Sequence, residues 1–264
     1  LGGLPLLCTA GFLLVAFVVS FLLKTFLVRS FYIPSGSMEH TLEVNDRILV
    51  NQLVPDLVEV QRGDIIVFRD PGGWLNLPPS VTRATPNPLE QLLQTVGLAA
   101  DTSADYVIKR VIGVGGDHVV CCDGEGRVTV NGVPLDEPYV NLPEGITRVS
   151  EIDFDVVVPE GSVWVMGDNR YSSRDSRYNQ DQPGRGFVSE EEIVGRAFVL
   201  NWPFARFTLL GNYPETFLGV EEAAPSAAAG PGSAGGSGSA GGSGSAAGPD
   251  YVGGSDTVAA DARG

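Results

Sequence analysis

Apolar and polar positions divide the chain into one long run, a body of short runs, and a tail without either. Residues 1–23 carry no charged side chain, and about 20 apolar residues suffice to cross a bilayer. Lys24, Arg29, Phe31 and Tyr32 follow, the cations and aromatics that suit a membrane–water interface. The pattern predicts one retained transmembrane helix with its juxtamembrane anchor over residues 1–30. A cleaved signal peptide would have a shorter apolar core and a small-residue cleavage site. The sequence starts without Met, so an N-terminal piece is expected to be missing, and without that flank charge cannot orient the span.

From Arg47 the runs become short and are broken by turn residues, which predicts strands over residues 47–53, 65–68, 106–112, 156–158 and 163–166. Residues 128–130 and 133–135 flank Asn131-Gly132 and read as a hairpin. Residues 196–202 are expected to close the body as its last strand. Between residues 70 and 105 five prolines interrupt the rhythm. Leu89, Leu92, Leu93 and Val96 repeat there at helical spacing, and Trp74, Leu75 and Leu77 look exposed. The stretch reads as a surface insertion packed on the body, or as a flap near the membrane. From residue 221 the composition collapses to Gly, Ala and Ser, predicting a disordered tail over residues 221–264.

Composition narrows the function. A formal charge of −15 excludes nucleic acid as a partner and does not fit a polybasic membrane binder. The 34 glycines and 18 prolines favour a turn-rich, β-rich body. Cys8, Cys121 and Cys122 have no zinc spacing, and His40 and His118 are too scattered for a metal site, so neither metal nor cofactor is expected. The cysteines read as structural or incidental, and a disulfide between adjacent residues would be strained. The glycine-rich stretch after Ile112 lacks the Gly-Lys-Ser/Thr ending of a phosphate loop and reads as a tight turn.

Two features carry chemistry. Ile33-Pro34-Ser35-Gly36-Ser37-Met38 places two hydroxyls on a constrained loop after the apolar run. Lys109 and Arg110 sit side by side in an apolar strand, where adjacent residues point to opposite faces. One of them must therefore face the side that its neighbours make costly for a charge. A serine needs a neighbour to take its proton. Lysine, with an ordinary pKa of about 10.4, is almost wholly charged at pH 7 and would need a shift of about 3.4 to be mostly neutral, within the ~3–5 that burial can supply. Spacing alone makes a Ser–Lys hydrolase conceivable without placing Ser37 beside Lys109. The third dense stretch, residues 167–177, alternates Asp and Arg and reads as a set of charge-assisted pairs or as a solvated charged loop.

Taken in order, "IPSGSM" followed by "TL", the strand "YVIKRVIGVGGD" and the loop "GDNRYSSRDSR" resemble those of the bacterial type I signal peptidases of the Ser/Lys kind. The resemblance runs from about Leu4 to Trp202. It implies Ser37 as nucleophile and Lys109 as general base, with Ser35 Oγ and the Ser37 N–H as oxyanion donors. Ser173 would orient the lysine amine, Met38 would pack beside the nucleophile, and Asp168–Arg110 and Asp175–Arg177 would be bracing ion pairs. It also implies a mainly β, coiled antiparallel sheet body with one N-terminal transmembrane helix. The catalytic domain, residues 31–220, would lie on the extracytoplasmic side of the cell membrane as a monomer. Secretory preproteins with small residues at −1 and −3 would be cut after binding as an added strand. Two positions depart from the family's pattern: His40 stands where proline is usual, and Tyr171 where aspartate is frequent. The rivals are a self-cleaving Ser/Lys regulator, against which the apolar run argues, and a non-catalytic membrane-anchored binding module on the same scaffold.

Overall fold

Four consecutive apolar residues, Ile65 to Phe68, can be satisfied only if both faces of their strand are covered. A computed structural model, which describes residues 11–12, 14–17, 27–75 and 106–223, shows how. The strands are β1 (Val28–Tyr32), β2 (Arg47–Asn51), β3 (Ile65–Arg69), β4 (Tyr106–Gly113), β5 (His118–Cys121), β6 (Val128–Val130), β7 (Val133–Pro134), β8 (Phe154–Val157), β9 (Ser162–Met166), β10 (Val188–Ser189), β11 (Ile193–Trp202) and β12 (Thr208–Leu209). An eight-stranded sheet runs β1-β2-β11-β3-β4-β9-β10, with β12 paired to β11, and a four-stranded sheet runs β7-β6-β5-β8. Every pairing is antiparallel.

In β3, Ile65 and Val67 join Met38, Leu42, Ile48 and Ile108 in one core, while Ile66 and Phe68 join Val107, Val111 and Val165 in another. Alternating side chains thus fill two cores, which is why β3 has no polar face. The small sheet builds a third core from Val119, Val128, Val130 and Phe154, closed by Trp164 and Met166 of β9. Its hairpin turns at Asn131 and Gly132, with φ of 53° and 81°, the left-handed pair a two-residue hairpin turn needs.

Several expectations change. The strand beginning at Ile193 is not the last: β12 follows it, and β11 lies inside the large sheet between β2 and β3. Trp74 is buried rather than exposed. The Asp70 carboxylate accepts the N–H groups of Gly72, Trp74 and Leu75, and the folded-back turn stacks the indole edge-on against Phe68 at 5.5 Å. The helix expected over residues 89–96 lies outside the described residues. Where the composition changes, the chain is still folded, in a helical turn Val220–Ala223 that buries Val220 and bonds Glu221 to Arg62. The rest of the expected tail lies outside the described residues. Cys121 and Cys122 are bonded to each other, with Cys121 in the small sheet's core. The span expected over residues 1–23 lies largely outside the described residues. Residues 11–12 and 14–17 are helical, and no described helix is long and apolar enough to cross a membrane.

The turn before β3 is bonded to β4. Gly63 has φ of 83°, donates its N–H to Val111 O, and accepts from the Arg110 guanidinium at 2.7 Å. A Cβ there would lie 1.8 Å from Asn212 O. Gly63→Ala is therefore expected to destabilise the protein by more than the ~1–2 kcal/mol of a left-handed non-glycine residue, read as a lower urea midpoint with an unchanged slope.

Candidate active site

Pro34 holds Ile33 extended, and Ile33 is buried among the core residues beside β1. Ser35 is extended (φ −129°, ψ 155°), exposed, and uses its hydroxyl in no cap to the following turn. Gly36–Met38 then forms a single 3₁₀ turn. Met38, fully buried, anchors that turn in the core with Leu42 and Ile48. Ser37 is left 8% exposed at its rim.

Across the gap is β4. Its pairing with β9 covers Arg110↔Met166 to Gly113↔Trp164 and so ends before Lys109. Among the described residues, no strand covers that side of β4 from Tyr106 to Lys109. Lys109 Nζ lies 2.7 Å from Ser37 Oγ and donates to Ile108 O at 2.8 Å. It makes no ion pair among the described residues. Burial lowers its pKa from 10.5 to about 8, against the pull of Asp175 and Asp168 and helped by Arg177. The expectation that one of the two adjacent cations must face a costly side holds, and it holds for both. Both strand faces are packed, and Lys109 and Arg110 are 4% and 0% exposed.

The loop after β9 resolves the alternative left open by its sequence: it is a buried charged network rather than a solvated loop. Asp168 takes two bonds from Arg110 (2.8 and 2.7 Å) and one from Thr41 Oγ1 (2.5 Å). Asp175 takes two from Arg177 (2.8 Å each) and the Gly167 N–H (2.9 Å). Burial alone would raise the Asp175 pKa, but Arg177 holds it below the usual carboxylate range. Ser173 is buried near the site without forming a hydrogen bond to Lys109. Its Oγ satisfies no hydrogen-bond geometry, although it lies close enough to Asp175 to favour the carboxylate anion.

Sequence reasoning missed four supports. Arg170 is forked onto Glu137 (2.7 and 2.6 Å) and donates to Gly167 O at 3.0 Å. Tyr139 hydroxyl donates to Glu137, and the Arg110 guanidinium lies 3.9 Å over the Tyr139 ring. Asn169 bonds the Gly36–Met38 turn directly. The quoted loop motif contains Arg170 and Asn169, but Glu137 and Tyr139 lie more than thirty residues away with no local signal.

The chain matches the family described as signal peptidase, peptidase S26, over residues 6–202. It belongs to that family. The probable signal peptidase I of Mycobacterium leprae (strain TN) is 34% identical over 75% of this chain and 76% of its own length. The signal peptidase I of Mycobacterium tuberculosis (strain H37Rv) is 38% identical over 73% and 71%. That of Pseudomonas aeruginosa (strain PAO1) is 34% identical over 79% and 78%. Membership makes the chain a serine peptidase. Both departures from the family's usual residues have local structural consequences. His40 has φ of 87°, which proline cannot adopt, so the backbone after the Gly36–Met38 turn takes a path open to histidine alone of the two. Tyr171 reaches out of the charged loop to donate to Arg148 O at 2.9 Å.

Gly167 is the tightest point of the site. A Cβ there would lie 2.2 Å from Ser173 Oγ and 2.4 Å from Ser37 O. Gly167→Ala is expected to push the nucleophile turn and the Ser173 loop apart and to lower the rate of peptide cleavage by about 10²-fold or more, the scale set by a displacement of about 1 Å. The check is the cleavage rate of the variant measured below its own melting transition.

Proposed function

We propose that this chain is a membrane-anchored signal peptidase that removes signal peptides from secretory preproteins, using Ser37 as nucleophile and Lys109 as general base. The 2.7 Å contact between a buried, carboxylate-free lysine and Ser37 Oγ is the observation that carries the reading. In its neutral form Lys109 accepts the hydroxyl proton while Ser37 Oγ bonds the scissile carbonyl carbon. The oxyanion is held by Ser35 Oγ–H and the Ser37 N–H. The C–N bond then breaks, the leaving amine takes the proton from Lys109, and Ser37 is left as an ester. A water that gives its proton to Lys109 hydrolyses that ester and restores both groups.

The uncovered side of β4 from Tyr106 to Lys109 supports binding of the preprotein as an added strand, with main-chain bonds giving affinity and shallow pockets selecting small residues at −1 and −3. The segment before β1 supplies the single span and anchor, the catalytic domain, which begins with β1 at Val28, faces the extracytoplasmic side, and the enzyme acts as a monomer. Ser173, whose buried hydroxyl lies close to Asp175, would orient the lysine amine once substrate is bound. The test is incubation with a preprotein and mass analysis of the cut. Ser37→Ala should abolish cleavage after the small residue. Ser35→Ala should lower kcat by about 10²–10³ with little change in KM, because that bond matters most in the transition state. A normal rate for Ser35→Ala would remove it from the oxyanion site.

At pH 7, with a pKa of about 8, about a tenth of Lys109 is neutral, so activity should rise with pH to a plateau above 8. The unfolded chain holds this proton up to about 10.4. Between the two values the unfolded state binds more protons, so stability rises with pH through that window. Below it both states are charged and the cost of the buried ammonium is fully present. Lys109→Met should therefore lose all activity yet be at least as stable at pH 7, by up to roughly 3 kcal/mol. Urea melts in matched detergent decide this, and a clearly less stable variant would mean a charged structural lysine.

A further inference from the structure

The backbone N–H of Ser37 can stabilise an oxyanion only if its peptide plane is held at one tilt. That plane also contains the Gly36 carbonyl, because the peptide is rigid and trans, so fixing one end fixes the other. Gly36 lacks a side chain to restrict its rotation. Its carbonyl is nonetheless held twice, by the Glu39 N–H at 3.1 Å and by Asn169 Nδ2 at 3.1 Å. The same Asn169 amine donates to Glu39 Oε2 at 3.0 Å, and the Asn169 backbone N–H donates to Ser37 O at 3.2 Å. Both side-chain partners are oxygen acceptors, so the amide must present its NH₂ to them.

We propose that Asn169 is a positioning residue for the oxyanion donor. It clamps the Gly36 carbonyl from behind and so aims the Ser37 N–H into the site. The clamp spans the two elements that must stay in register, the nucleophile turn and the loop after β9. It acts on the plane that carries the donor rather than on the base, since Asn169 makes no bond to Lys109. Glu39 steadies the amide from the other side. The inference rests on the reading of Ser37 as nucleophile and its N–H as oxyanion donor.

The experiment uses the full chain in detergent. It compares wild type, Asn169→Asp, Asn169→Ser and Ser37→Ala in preprotein cleavage, and in inhibition by a peptide aldehyde ending in alanine, whose serine adduct carries the oxyanion. Asn169→Asp keeps the shape and the backbone bond but exchanges the side-chain donor for a carboxylate. Asn169→Ser adds no charge and covers the case in which an aspartate beside Glu39 unfolds the turn. Each variant is assayed below its melting transition. The expected result is a fall in kcat of about tenfold or more, short of the ~10²–10³ lost when a donor is removed outright. Aldehyde affinity should fall in proportion, with KM and the pH midpoint of kcat unchanged. A wild-type kcat in both variants, a change confined to KM, or a shifted pH midpoint in the uncharged Asn169→Ser would overturn the proposal, the last because Asn169 would then act through Lys109. Cleavage by Ser37→Ala at the wild-type rate would instead sink the underlying reading of the function.

Discussion

The structure depends on keeping one buried lysine without a counterion. Two carboxylates, Asp168 and Asp175, lie near enough to Lys109 to favour its proton. Each is instead forked to an arginine of its own, Arg110 and Arg177. The arginines keep their charge at any relevant pH and match a carboxylate with two parallel bonds. Lysine, a point charge on a flexible stem, loses that competition. Burial then pulls its pKa down with no ion pair to oppose it. The charged network is thus more than bracing. It removes from Lys109 the partners that would make it an ordinary charged lysine.

That arrangement constrains the backbone around it. The loop after β9 must bring two aspartates to two arginines while Gly167 passes against Ser173 and the Ser37 carbonyl. Both polar groups of Gly167 are taken, its N–H by Asp175 and its carbonyl by Arg170. Arg170 in turn needs Glu137, which also accepts from the hydroxyl of Tyr139, the ring that lies against the Arg110 guanidinium. Buried charges without partners cost several kcal/mol each, so the network holds as a set. The Ser37 turn is held by Ile33 and Met38 in an apolar core and by Asn169 of this loop. Ser37 and Lys109 therefore meet at a seam between apolar packing on one side and paired charge on the other.

The seam lies where β9 stops pairing with β4. Up to Arg110 the edge of β4 is occupied, and from Lys109 back to Tyr106 it is uncovered among the described residues. A strand edge normally has to be protected from pairing with other chains. Here the uncovered backbone runs alongside Ser37, so the same feature that would be a liability elsewhere suits an extended peptide.

The sequence by itself determined the strands whose neighbours are local. The unbroken apolar run of β3, the Asn131-Gly132 hairpin and the apolar strand carrying Lys109 were all legible, because period and turn chemistry act over a few residues. The order of three motifs pointed to the family, and with it to Ser37 and Lys109. What the sequence could not reveal was long-range. Trp74 is buried through a fold-back onto Asp70 and Phe68, and β11 became an interior strand through pairing with β2 and β3. Only the tertiary structure brought Glu137 to Arg170 and Asn169 to Gly36, and only it left Lys109 without a carboxylate. The physical reason is the same in each case. A local pattern states which residues want burial or a partner, but which partner each one receives is decided by where distant strands meet.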